Sequence, residues 1–332
     1  MKVSVLVITY NHERYIARAI ESALAQQTSF DFEIVVGEDC STDRTRAILL
    51  AYQQRYPDTI RLLLPEKNIG MHRNFVQTLH ACAGEYVALL EGDDYWTSQH
   101  KLQKQVEFLE RHPKCAICFH ATALIYEDGS HPPGKYPGGH QKEISTIEDL
   151  LVRNFMQTCS VMFRRGLFDT FPDWFFTLKL GDWPLHVLNA QHGDIGYIDE
   201  VMSAYRLHEA GVWSPQNQAK HLQETIRVLR TLNRHLAYKY DRRVRTSISI
   251  CYCGLAGFYE QRADLKQARA NILRSLIEKP LNRDYFQAQV ALLLKLYAPA
   301  LYRPLRRAKR YLGRKIQPNT SLQESPSVPS AK

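Results

Sequence analysis

Three carboxylates flank a single glycine in Glu91-Gly92-Asp93-Asp94, directly after the apolar run Tyr86-Val87-Ala88-Leu89-Leu90. Carboxylates this close repel one another unless a cation, a hydrogen-bond donor or a proton offsets them. Adjacent aspartates offer hard oxygen ligands and a glycine lets backbone approach a ligand, so the pattern points to a divalent cation and, with it, a phosphate. The structural alternative is a helix start, with Asp94 or Ser98 capping a helix over 100–111. Other polar residues stand in the same relation to apolar runs. Thr9-Tyr10-Asn11 follow the run at 3–8, Glu38-Asp39-Cys40-Ser41-Thr42-Asp43 the run at 32–37, and Asn68-Ile69-Gly70-Met71-His72-Arg73-Asn74 the run at 60–64. Each set alone suits a turn or a cap, but their succession exceeds what connecting loops need.

The elements that must position these residues follow from periodicity. Short apolar runs at 3–8, 32–37, 60–64, 86–90 and 115–126 read as strands, and amphipathic stretches at 13–26, 43–55, 71–82 and 100–111 as helices. This alternation predicts an α/β fold, a mostly parallel sheet sandwiched by helices, whose ligands bind at the carboxyl ends of the strands. A Gly/Pro-rich excursion over 128–139 is of the kind that covers sites. Ser145-Thr146-Ile147-Glu148 reads as a capping box for a helix to about Asn154, followed by a strand over 160–164. Pro184 suits the first turn of a helix to about Gln191, which puts Asp182 near that helix's N-terminus, where capping is its ordinary role. Short strands are expected over 195–198 and 202–207, the second running into His208, itself an ordinary loop residue.

The 332 residues are 45% hydrophobic and 23% charged, an ordinary globular composition. Seven scattered cysteines suggest no disulfide framework and a reducing compartment. Cys115 and Cys118 lie three apart in a strand, on opposite faces, so burial is expected rather than metal binding. The opening apolar run is too short for a signal peptide, and the greasy stretch over 290–301 is broken by Lys295 and Pro299, too early for a membrane span. The net charge of +9 hides a division: residues 1–214 carry 20 Lys and Arg against 27 Asp and Glu, residues 215–332 carry 23 against 7. From 215 the pattern is all-helical, with a helix over 264–278. The predicted organisation is a catalytic domain over 1–214, a basic helical region over 215–316 and a Ser/Pro-rich disordered tail over 317–332. Arg303 to Lys315 holds seven basic and no acidic residues beside leucines, which predicts contact with an anionic membrane surface. Nucleic acid is not expected, because no base-stacking platform accompanies the charge.

In order and spacing, Val7-Ile8-Thr9-Tyr10-Asn11, Glu38-Asp39-x-Ser41-Thr42-Asp43, Asn68-x-Gly70, Glu91-Gly92-Asp93-Asp94 and Gly181-Asp182-Trp183 closely resemble family 2 glycosyltransferases of the GT-A fold, over roughly residues 1–214. The resemblance implies an inverting enzyme that takes a sugar from a nucleoside-diphosphate sugar, by family habit a UDP-sugar, with Mg²⁺ or Mn²⁺, and passes it to a glycan or lipid-linked acceptor in cell-surface polysaccharide or glycoconjugate synthesis. It implies that Thr9, Tyr10 and Asp39 cradle the nucleobase, that Arg73 sits near the base or diphosphate, and that Asp93 faces ribose and metal. Asp94 is similar to the direct metal ligand, and His208 to a position that helps hold the metal or diphosphate. Glu91 stands where many relatives have aspartate. Asp182 is similar to the catalytic base, although many relatives have Glu-Asp where this chain has Gly181-Asp182. A cytoplasmic chain, peripheral on the inner face of the cell membrane, is the location this implies. Two other readings stay open at this level: a nucleotidyltransferase making the activated sugar, and an inactive nucleotide-binding domain on a helical interaction module.

Overall fold

The computed structural model describes residues 1–208, 218–280 and 285–302. They fall into two compact units, Met1–Ser214 and Pro215–Lys332. The basic stretch over 303–315 and the tail over 317–332 lie outside the described residues.

The first unit is built on strands β1 (Val3–Thr9), β2 (Phe32–Glu38), β3 (Ile60–Leu63), β4 (Tyr86–Glu91), β5 (Tyr95–Trp96), β6 (Cys115–Tyr126), β7 (Gly134–Tyr136), β8 (Ile144–Ser145), β9 (Met162–Arg164) and β10 (Asp194–Leu207). Between them run helices α1 (Ile16–Leu24), α2 (Thr45–Arg55), α3 (Met71–Ala81), α4 (Lys101–Arg111), α5 (Ile147–Val152) and α6 (Asp182–Ala190). The sheet order is β3-β2-β1-β4-β9-β6-β10-β5, with β7 and β8 at its side. Pairings of β1 with β2 and β4, of β2 with β3 and of β6 with β10 are parallel, while β9 runs antiparallel between β4 and β6. Val3, Val5, Val7, Ile34, Val36, Ala88 and Leu90 are buried in one core with Ile16 and Ile20 of α1. Strands covered on both faces must be apolar almost throughout, which explains their mostly aliphatic runs.

Strand order reverses at β1: β2 lies on one side and β4 on the other, and ligands of open α/β sheets bind at such a switch. There Ile8 pairs in register with Glu91, so the end of β1 and the acidic cluster share one sheet edge. The loops after β1 and β2 are locked together. Asn11, at φ 56°, accepts from the Thr42 amide at 2.8 Å, and the amides of Asn11, His12 and Glu13 donate to Ser41 Oγ, Thr45 Oγ1 and Asp43 Oδ2.

Several local expectations are corrected. The capping box sits one residue later, between Thr146 and Asp149, because Asp149 is the side chain that reaches back to the cap amide, and the helix ends at Val152. The two strands expected over 195–198 and 202–207 are one strand, β10, whose register shifts at Ile198/Val201 and Val201/Ser203. A bulge turns charged Asp199 and Glu200 outward without ending the pairing, and alternation counting sees it as a break. Neither Asp94 nor Ser98 is the N-cap of α4; that position is His100, with no side-chain cap. Asp182 is the first residue of α6, after the N-cap Gly181. All seven thiols are free, and Cys115 and Cys118 are buried.

The second unit holds α7 (Gln218–His235), α8 (Asp241–Gln261), α9 (Leu265–Glu278) and α10 (Phe286–Tyr297). Cys253, Ala256, Ala268, Ile272 and Leu296 form its small core. Asp264 caps α9 by accepting from the Gln267 amide. Among the described residues no helix is long and apolar enough to cross a membrane.

Candidate functional site

Glu91 ends β4, and the chain turns at once: the Gly92 amide donates to Ile8 O at 3.0 Å and the Asp94 amide to Glu91 O at 3.1 Å. Gly92 must be glycine, since a Cβ there would lie 2.5 Å from Thr9 Oγ1 and 2.8 Å from His12 Nδ1. The turn sends the two aspartates to different places. Asp93 Oδ2 meets His208 Nε2 at 3.1 Å and His12 Nε2 at 3.8 Å. Asp94 is buried, with Oδ1 accepting from the Arg206 amide at 2.9 Å and Oδ2 without a partner. The strand β10 thus delivers both Arg206 and His208 to the acidic turn, and the Arg206 guanidinium stacks over Tyr15 and Tyr95.

One cleft is lined by Glu91, Asp93, Asp182, Arg206, His72 and Phe175, among others. Asp182 enters it from α6, and its Oδ2 accepts from Asn154 Nδ2 at 2.9 Å. Asn154 is itself held by Tyr136, whose hydroxyl donates to the Asn154 carbonyl at 2.5 Å. His72, from the first turn of α3, has Nε2 buried without a partner beside Gly181 and packs edge-on against Phe175.

Electrostatically the site is overloaded with negative charge. Burial, then the charges of Asp93, Asp94 and Asp182, hold the Glu91 carboxyl well above the usual carboxylate range. Burial and the neighbouring Asp93 do the same to Asp94, against the Arg206 amide. Burial pushes Asp93 upward too, but the His208 hydrogen bond and the two histidines outweigh it and leave Asp93 below its ordinary value. His208 is raised by its bond to Asp93, whereas His12 is lowered by burial. Burial raises Asp182, with Asn154 and the backbone amides at the start of α6 opposing.

Of the residues singled out from sequence, the structure brings Asp93, Asp94, His208 and Glu91 together, with Asp182 on the same cleft. Thr9 is buried beside Gly92, its Oγ1 unpartnered. Tyr10 is exposed. Asp39 is committed to the third loop, its two oxygens accepting from the Ile69 amide at 2.7 Å and the Gly70 amide at 2.9 Å. Arg73 is exposed on α3. Sequence reasoning missed His12, His72 and Asn154. His12 directly follows Thr9-Tyr10-Asn11 and His72 directly precedes Arg73, so position relative to a strand end was the available signal; Asn154, in the loop after α5, carried none.

Known proteins share part of this sequence and its fold. Uncharacterized protein Rv1520 of Mycobacterium tuberculosis (strain ATCC 25618 / H37Rv) is 44% identical over 211 residues, 63% of this chain and 60% of that one. The putative teichuronic acid biosynthesis glycosyltransferase TuaG of Bacillus subtilis (strain 168) is 34% identical over 163 residues, 49% of this chain and 62% of that one. The chain therefore matches about three fifths of the length of these curated relatives. The crystal structure of S. aureus TarS 1-349 in complex with UDP-GlcNAc shares the fold, with a TM-score of 0.58 at 19% identity over 94% of this chain and 92% of that one. Residues 4–171, just over half of the chain and including the acidic turn, match the model of the family described as Glycosyl transferase family 2, and the chain belongs to that family, with its GT-A fold.

Proposed function

We propose that this glycosyltransferase moves a sugar, with inversion, from a nucleoside-diphosphate sugar to a hydroxyl of a glycan or lipid-linked acceptor, using a bound divalent cation. The observation that carries the reading is the meeting of the acidic turn at Glu91–Asp94 and the separate carboxylate of Asp182 on one cleft. UDP-GlcNAc as the ligand of TarS supports a UDP-sugar donor, and the name of TuaG supports a cell-surface polysaccharide setting.

The donor set fits Mg²⁺ or Mn²⁺. Asp94 Oδ2 is buried and unpartnered, and Glu91 and Asp94 are strained toward protonation by burial and one another, a state that a hard cation relieves. Asp93, which lines the cleft, together with Asp94 and His208 would hold the ion. Among the described residues no three His, Cys, Asp or Glu side chains already stand as a group that could hold a metal ion, so in this reading the donor phosphates would have to supply further ligands. A bound divalent cation neutralises the departing diphosphate as a Lewis acid.

The chain's own residues do the rest. Asp182 takes the proton of the acceptor hydroxyl as it attacks, a contribution of roughly 10²–10⁴ in rate. Asn154 and the first amides of α6 hold that carboxylate in place and favour its charged form. Apolar Phe175 and Leu185 exclude water from this side of the cleft.

Incubation with a panel of nucleoside-diphosphate sugars and Mn²⁺ tests the reading, with the product's anomeric configuration read by NMR. Asp182→Asn should keep donor binding by calorimetry and lose transfer. Retained configuration in the product, or normal turnover by Asp182→Asn, would refute it.

A further inference from the structure

Helix α9 is amphipathic in an unusual sense. Its inner face, Ala268, Asn271, Ile272 and Ser275, is buried. Its outer face exposes Leu265 (48%), Leu273 (46%) and Ile277 (73%). Lys266, Arg269 and Arg274 are exposed among these aliphatic side chains. The one carboxylate within α9, Glu278, is already engaged by Arg230 and Arg245. The face continues onto α10, where Arg269 donates to Leu296 O at 3.1 Å and lies 5.5 Å from the ring of Tyr297, itself 48% exposed.

The geometry points to an anionic phospholipid surface as the occupant of this face. Large aliphatic side chains standing in water are costly, and cations interleaved with them match a layer whose rim is negative and whose interior is hydrocarbon. Charge over the described residues of the unit agrees: residues 218–280 and 285–302 carry 14 Lys and Arg against 5 Asp and Glu. The sequence immediately beyond, 303–315, adds seven basic residues and no acid. A second copy fits poorly, because a two-fold contact would set like charges against each other. Nucleic acid would use the cations but leave Leu273 and Ile277 in water. The face belongs to the second unit and the donor site to the first, so each has its own test, and donor-induced thermal stabilisation of the same samples reports on the transfer reading alone.

The test is co-sedimentation of the full chain with vesicles of phosphatidylcholine and of phosphatidylcholine mixed with phosphatidylglycerol. The chain should pellet with the mixed vesicles only, less so as salt rises. Leu273→Ser/Ile277→Ser should weaken binding by about tenfold, as two aliphatic groups leave the apolar boundary. Lys266→Gln/Arg274→Gln should weaken it by about fivefold per charge. All four positions are exposed, so melting temperatures should not change. Equal pelleting with neutral vesicles, or binding that survives the Leu273/Ile277 change and vanishes only when the 303–315 cations are neutralised, would overturn the proposal. Loss of self-association in place of vesicle binding would overturn it in favour of a second copy.

Discussion

Gly92→Ala is a one-carbon test of how the acidic turn is held. The new Cβ would stand 2.5 Å from Thr9 Oγ1, 2.7 Å from Thr9 Cβ and 2.8 Å from His12 Nδ1, where ordinary contact begins at 3.4 Å. Something must yield by about 1 Å. Strand β1 is bonded in register to β2 and β4 and buried on both faces, so it cannot move alone. The displacement falls on the turn, and with it on Asp93 and Asp94. Overpacking of this kind costs about 1–3 kcal/mol, and for a unit of this size each kcal/mol lowers the melting temperature by about 2–4 °C. A misplacement of about 1 Å at a reacting centre costs on the order of 10²-fold in turnover. The control is Gly84→Ala, whose Cβ would meet the Ser4 amide nitrogen at 2.4 Å and the Val3 carbonyl carbon at 2.6 Å, at the opposite end of the same two strands. Melting curves and initial rates of sugar transfer on both variants decide the matter. Gly84→Ala should melt early yet keep most of its turnover per folded molecule, whereas Gly92→Ala should lose both. If Gly92→Ala retains turnover within about threefold, or Gly84→Ala loses as much, the link between this glycine and the acidic groups is refuted.

Further expectations concern protons and metal. Asp182 must be ionised to accept a proton, and the Asn154 bond opposes the upward push of burial, so Asn154→Ala should raise its pKa and move the acid limb of kcat/KM to higher pH; an unmoved limb would remove Asn154 from the site. Protons compete with a cation at Glu91 and Asp94, both raised by burial, and at His208, raised by Asp93. The thermal shift given by Mn²⁺ with UDP should therefore grow with pH through the neutral range and vanish in Asp93→Asn/Asp94→Asn, and a pH-independent shift in the parent chain would place the ion elsewhere. Lys101 Nζ is buried without a hydrogen-bond partner, 4.0 Å from the ring of Trp96, and burial lowers its pKa from 10.5 to about 7. Between those values the unfolded chain binds the proton first, so stability falls as pH falls. Lys101→Met should flatten that fall and raise the melting temperature at neutral pH, and a lower melting temperature would mean the amine has a partner.

The strand ends were legible because each is announced locally. A run such as Val3-Ser4-Val5-Leu6-Val7-Ile8 can only be a covered strand, and the first polar residue after it marks the ligand edge. The break in β10 was misread because Asp199 and Glu200 interrupt alternation while leaving the pairing with β6 intact. Asp39 carries the mark of a ligand contact in sequence, and in the fold its carboxylate also accepts from the amides of Ile69 and Gly70, an engagement no spacing reveals.

By itself the sequence determined the α/β alternation, the acidic turn and its place at a strand end, and the contrast in charge between the two units, since each is a matter of local order and composition. Only the tertiary structure decided which groups meet. His208 reaches Asp93 across 115 positions, and Asp182 rests on Asn154 across 28. It also decided that α9 turns Leu265, Leu273 and Ile277 outward together with Lys266. Periodicity reports which face of an element is apolar; what that face encounters depends on strand order and on crossovers that bring distant segments to one edge.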